Sequence, residues 1–183
     1  MKLKNCVLVL LIVVTAVSLF AGCGKSDKSV SNATSEDNNM VGLANPWREI
    51  NPEDMSKEIG FTLVVPEGAT DVVCTIMDSE GLGQLSFKLD NQEYTARIKS
   101  VSSFEDISGM YYDWTNEEDI KINWCEGKEY RYIGENEQAA LCMWCDIVPG
   151  VMYSVSATGP DLNGLDLTVI ANMVYTPMQD DAP

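Results

Sequence analysis

Between residues 60 and 157 apolar and polar positions alternate with a period of two in several separate runs. Leu85, Phe87 and Leu89 fall on one face of a predicted strand, and Tyr94, Ala96 and Ile98 on one face of the next. Asp90-Asn91 between them supplies the turn, so the pair reads as successive antiparallel strands of a meander. Upstream, residues 61–65, stopped by Pro66, and residues 72–77, after the Glu67-Gly68 turn, predict two more strands. Gly81-Leu82-Gly83 reads as a hairpin turn. Downstream, Ile120, Ile122 and Trp124 resume the period of two, Glu126-Gly127 predicts a turn into Tyr130 and Tyr132, and the runs 139–147 and 151–157 form a hairpin through Pro149-Gly150. Helical signals occur twice. Asn51-Pro52-Glu53-Asp54 has the Asn, the early proline and the acids of a helix start, with Gly60 closing a short helix. After Pro160-Asp161, the residues Leu162, Leu165, Val169, Ile170, Met173 and Val174 have the spacing of one buried helical face. Residues 104–114 read as a loop holding no more than a helical turn. The predicted class is α+β: a twisted antiparallel sheet of about six to eight strands, with a short N-terminal helix and a C-terminal helix packed on one face.

The N-terminus follows a different pattern. Lys2 and Lys4 precede an apolar run from Cys6 to Phe20 that only Thr15 and Ser18 interrupt. That is the charged start and apolar core of an export signal, a few residues short of the roughly 20 that a spanning helix needs. The run ends in Leu19-Phe20-Ala21-Gly22-Cys23, which resembles the lipobox of bacterial lipoprotein precursors, with Phe20 standing where a branched aliphatic residue is usual. The resemblance implies cleavage between Gly22 and Cys23, a diacylglyceryl group with palmitate-type chains on Cys23, and a mature chain held on the extracytoplasmic side of the cell membrane. Each buried methylene contributes about 0.8 kcal/mol, and two chains hold where one binds only reversibly. Residues 1–22 are then the signal peptide. Residues 23–44, rich in Ser, Asn, Asp and Lys without apolar periodicity, form a flexible tether that sets the domain on average roughly 25 Å from the bilayer. A single globular domain is expected over 45–178, with a disordered tail at 179–183.

Composition suits a folded domain behind that tether: 45% of the chain is hydrophobic and it carries four tryptophans and seven tyrosines. Loss of Lys2 and Lys4 with the signal peptide takes the formal net charge from −16 to −18. Such a surface is a poor match for nucleic acid, whose phosphates need clustered Lys and Arg, and serves chiefly to keep a surface protein solvated.

From residue 45 to about 175 the chain also resembles an uncharacterised extracytoplasmic domain. The resemblance is carried by Asn45-Pro46-Trp47, a short acidic helix, Ile59-Gly60-Phe61 leading into a strand ended by Pro66, Asp106-Ile107-Ser108-Gly109, and Trp144 before the final hairpin and helix. That domain is found in lipoproteins of anaerobic Gram-positive bacteria and on the outer segments of anti-sigma-factor-like membrane proteins. The resemblance implies a small extracytoplasmic sheet domain and brings no catalytic residues with it. No cytoplasmic regulatory module is visible here, so an anti-sigma role is not expected to carry over.

The chain contains no histidine, which excludes serine or cysteine nucleophiles activated by histidine and any histidine-bearing zinc site. A glycine-rich phosphate loop and a calcium loop are also missing. Glu117, Glu118 and Asp119 could in principle supply a glycosidase pair, but acid runs in so acidic a chain are ordinarily solvated. No catalytic residue, metal ligand or cofactor is assigned. Cys142-Met143-Trp144-Cys145 is formally a C-x-x-C motif, and Cys74 and Cys125 complete a set of four in the exported domain. Three residues along a strand span about 10 Å and end on opposite faces, so Cys142 and Cys145 should not pair with each other. Each could pair with Cys74 or Cys125, or stay reduced as a small buried hydrophobe. Tyr111, Tyr112, Trp114, Tyr130 and Tyr132 could line a concave sheet face for an apolar or sugar ligand, whereas Trp124 and Trp144, at alternating strand positions, read as core. The function expected from these features is a lipid-anchored, non-catalytic binding domain with an unidentified protein or cell-envelope partner. A carrier of a small apolar ligand is the alternative, and a thiol- or carboxylate-based enzyme a more distant one.

Overall fold

The tight β-turn at Asp90-Asn91, where both residues take positive φ (51° and 64°), joins two long strands in full register and sets the pattern for the whole domain. A computed structural model describes residues 45–177. The expected signal peptide, tether and tail, and with them Gly22 and Cys23, lie outside the described residues. Along the chain come β1 (Arg48–Ile50), a 3₁₀ turn (Pro52–Asp54), α1 (Met55–Ile59), β2 (Thr70–Met77), β3 (Leu82–Leu89), β4 (Gln92–Ser100), β5 (Asn116–Ile122), β6 (Cys125–Ile133), β7 (Gln138–Asp146), β8 (Val151–Gly159) and α2 (Leu167–Val174). The fold is α+β, with one eight-stranded sheet in the order β1-β2-β3-β4-β8-β7-β6-β5 and every pair antiparallel. Two four-stranded meanders therefore meet at the β4–β8 seam. Both outer strands have blunted edges: β1 is three residues long, and β5 carries the exposed acids Glu117, Glu118 and Asp119.

This topology obliges the segment from 101 to 115 to travel from the centre of the sheet to its edge, passing β8, β7 and β6. It crosses one face without forming a helix. Ile107 is buried there among Leu82, Leu141, Met143 and Met152, with Met110 and Trp114 packed alongside. The opposite face carries the larger core, in which Cys74, Leu85, Ala96, Val155, Cys142 and Trp144 are covered by Met55, Leu63, Leu167, Ile170, Ala171 and Val174. Trp144 is fully buried, stacked on Tyr153 at 5.2 Å with the rings 6° from parallel.

Several predicted elements shift. Residues 61–66 belong to no strand, although the Val64 N–H donates to the Val174 carbonyl at 2.9 Å. Gly83 lies inside β3, against Ile59, Ile98 and Met55, so the turn ends at Gly81. Glu126 and Gly127 lie in β6, not in a turn. The reversal occurs at Asn123-Trp124, with Asn123 at φ 51°, which removes Trp124 from the strand and leaves it 48% exposed. Gly127 pairs with Trp144, where a side chain would meet the Met143 carbonyl and the Trp144 Cβ. The C-terminal helix starts at Leu167, where the Asp166 carboxylate accepts from the Thr168 N–H. Leu162 and Leu165 precede it, and its buried face is Leu167, Ile170, Ala171 and Val174, with Val169 and Met173 turned outward.

Candidate functional site

All four cysteines of the domain are free thiols, and the strand register keeps Cys142 away from Cys74 and Cys125. Cys74 and Cys142 lie in one cross-strand row through Leu85, Ala96 and Val155. Four strand spacings separate them, about 19 Å, against the roughly 7 Å that a disulfide spans. Cys142 faces Glu129, four residues along β6 from Cys125, which is about 14 Å. Cys142 packs in the larger core and Cys145 in the smaller one, so the C-x-x-C pair does point to opposite faces. Burial pushes every thiol up from the usual cysteine range, Cys74 to about 11. At about pH 8 that leaves Cys74 roughly one part in a thousand thiolate, against about one in four for a free cysteine. Alkylation of Cys74 by iodoacetamide, followed peptide by peptide, is therefore expected to be at least about 100-fold slower in the folded domain than in urea, with half-buried Cys145 the first of the four to react. Modification of Cys74, Cys125 or Cys142 at the free-thiol rate would contradict this.

Of the five residues expected on a ligand face, four come together. Tyr112 lies 5.5 Å from Trp114 and 5.0 Å from Tyr132, and Trp114 lies 5.7 Å from Tyr130. Their rings lean on one another, and Trp114 and Tyr130 also pack against the cluster around Ile107. The rings are largely committed to covering this face of the sheet. Tyr111 stands apart from the group and is 94% exposed.

The most distinctive surface lies at the end of the sheet where the β5–β6 and β7–β8 turns sit side by side. Trp124 (48% exposed), Ile147 (80%) and Val148 (67%) project there, and with Pro149 they ring a hollow of about 360 Å³ whose wall includes Cys125, Glu126, Cys145 and Asp146. Turns are ordinarily polar, and a contiguous apolar patch on a solvated surface marks a contact site. Behind the rim runs a buried hydrogen-bonded chain. Tyr175 Oη donates to Asp146 Oδ2 at 2.7 Å and lies 3.4 Å from Cys125 Sγ. The single Tyr175 proton goes to the carboxylate, so the Cys125 thiol is the donor to Tyr175. Burial raises the Tyr175 and Cys125 pKa values, which keeps both groups protonated as this chain requires. Tyr175 is also packed edge-on by Tyr153 (5.0 Å), Trp144 (5.9 Å) and Trp124 (6.4 Å). The thiol serves here as a hydrogen-bond donor, and the arrangement braces the last residue of β7 beneath the rim.

Sequence reasoning passed over Asp146, Ile147, Val148 and Tyr175. Two signals were present: Asp146 is the one charged residue in the run 139–148, and Ile147-Val148 places two β-branched apolar residues directly before a Pro-Gly turn. Among the described residues no group of three or more Cys, Asp or Glu side chains is placed to hold a metal ion, and no helix is long and apolar enough to cross a membrane. Comparison with family models, with curated proteins and with solved structures returned no match.

Proposed function

We propose that this chain is an extracytoplasmic lipoprotein, held on the membrane through diacylglyceryl-Cys23, whose domain is a non-catalytic binding module that docks a protein or cell-envelope partner through the Trp124, Ile147 and Val148 rim. The observation that carries the docking half is the concentration of three exposed large apolar side chains on two adjoining turns, around a hollow sized for an apolar side chain of the partner. The buried Cys125, Tyr175 and Asp146 chain supports the same reading, because a braced rim loses little conformational entropy on docking. The anchoring half is supported by the lipobox-like ending at Cys23 and by the tether of about 20 residues, which leaves the rim free to reach a partner above the bilayer.

Fractionation of cells expressing the full chain separates the anchor from the rim. The wild-type chain is expected in the membrane fraction and released only by detergent, Cys23→Ala in the soluble fraction, and Val148→Asp on the membrane with the wild type. Release of Val148→Asp instead would make the rim a membrane contact and overturn its assignment to a partner. Retention of Cys23→Ala would overturn the lipid anchor.

A further inference from the structure

On the sheet face crossed by the 101–115 segment, Arg97 of β4 occupies a position that the docking rim does not use. Its Nε donates to Gln84 Oε1 at 2.8 Å and its Nη1 to the Ile107 carbonyl at 3.1 Å, while its guanidinium carbon lies 5.4 Å from the centre of the Trp47 ring. Gly109, at φ 67°, allows this approach, since a side chain there would run into the guanidinium. Two stretches 60 residues apart, Asn45-Pro46-Trp47 and Asp106-Ile107-Ser108-Gly109, thus converge on one arginine. Burial pulls its pKa down, so the charge is held at a cost. Arg48, Lys57, Lys88, Lys99, Lys128 and Arg131 each reach a carboxylate. Among the described residues Arg97 has none within 4.0 Å, and two of its five N–H groups are engaged. Asp106 and Glu80 attract it only from beyond contact distance, and a half-buried guanidinium with no carboxylate against it is a costly feature to retain.

Arg97 opens into a hollow of about 280 Å³ with Trp47, Leu82 and Lys99 in its wall and the exposed Tyr111 ring at its mouth. Glu80 and Asp106 also line it, and each has a polar neighbour other than Arg97. Asp106 accepts from the backbone N–H and the hydroxyl of Ser108 at 2.7 and 2.6 Å, and Glu80 lies 3.7 Å from Lys99, whose nearer carboxylate is Glu105 at 2.9 Å. Two carboxylates at the wall disfavour a dianion such as phosphate, whereas a single carboxylate can take up N–H groups of Arg97 that remain unengaged. The volume accommodates one side chain and its carboxyl group rather than a larger molecule.

We infer that this hollow is a binding site for a monocarboxylate with an apolar or aromatic body, its carboxylate on Arg97 and its body between Trp47 and Tyr111. A free acid and the C-terminal residue of a peptide share that chemistry. The test uses the full chain in detergent, with N-acetyl-phenylalanine and its amide, and a short peptide ending in Phe as acid and as amide. The readouts are the side-chain NMR signals of Arg97 Nε–H and the Trp47 indole N–H. Saturable shifts with the acids, at least tenfold weaker with the amides, are expected. A peptide acid that binds tenfold or more tighter than N-acetyl-phenylalanine identifies a chain terminus as the occupant, and equal affinities identify a free acid. Arg97→Gln should abolish the shift of Trp47. Tyr111→Ala, at a residue too exposed to affect folding, should weaken acid binding severalfold while leaving the melting temperature unchanged. Equal binding of acid and amide, or no shift at Arg97 with any of the acids at millimolar concentration, would overturn the assignment.

Discussion

Trp144→Ala is expected to destabilise the domain by about 3–5 kcal/mol, enough to leave much of it unfolded at physiological temperature. Trp144 is fully buried, stacked on Tyr153 and met edge-on by Tyr175, and it lies opposite Gly127, where a side chain would run into the Trp144 Cβ. Nothing nearby can collapse into the space: Tyr153 is held in β8 and Tyr175 by its bond to Asp146. The indole Nε1 has no hydrogen-bond partner among the described residues. Trp144→Phe therefore loses packing but no hydrogen bond, and its cost should be well under half that of alanine. Urea unfolding of the two variants, compared by midpoint at equal slope, checks both the size and the order. Equal costs would contradict this, since both variants lose the indole N–H and only the retained ring separates them.

Tyr175→Phe is expected to cost about 1.5–3 kcal/mol through the loss of a single oxygen. Asp146 is 4% exposed, and Tyr175 Oη is its side-chain donor among the described residues. Without that hydroxyl a buried carboxylate and the Cys125 thiol both lose their partner. Asp146 ends β7 directly before the turn that carries Ile147 and Val148, so the loss should also loosen the rim. Hydrogen exchange at residues 147–150 should accelerate more in Tyr175→Phe than in a core variant of equal global cost. Uniform acceleration across the sheet would show that Tyr175 acts on stability alone.

The β3–β4 hairpin was legible in the sequence because each strand alternates cleanly and Asp90-Asn91 suits the positive φ the turn demands. Separation of Cys142 and Cys145 onto opposite faces followed from the strand period alone. Other features carried no periodic signal. β1 is three residues long, and Ile107, Met110 and Trp114 sit in an irregular segment whose contact with the sheet is imposed by topology: the chain must cross from β4 to β5. Trp124 looks like a strand residue because the alternation of Ile120 and Ile122 runs on past Asn123, which is the turn. The helix was phased from Leu162 and Leu165, although the capping pair Asp166 and Thr168 marks the true start. The apolar rim was missed because its three members come from two turns that only the sheet order brings together.

The most direct measurement of the docking role is site-specific photo-cross-linking from position 148 of the full, membrane-held chain in intact cells. Position 133 serves as the control, since Ile133, at 64% exposed, ends β6 away from the rim. The predicted result is a discrete adduct from position 148 that is absent from position 133 and is lost when Ile147→Asp is added to a chain whose unfolding midpoint is unchanged. Matching yields from the two positions, or an adduct indifferent to Ile147→Asp, would contradict docking through the Trp124, Ile147 and Val148 rim.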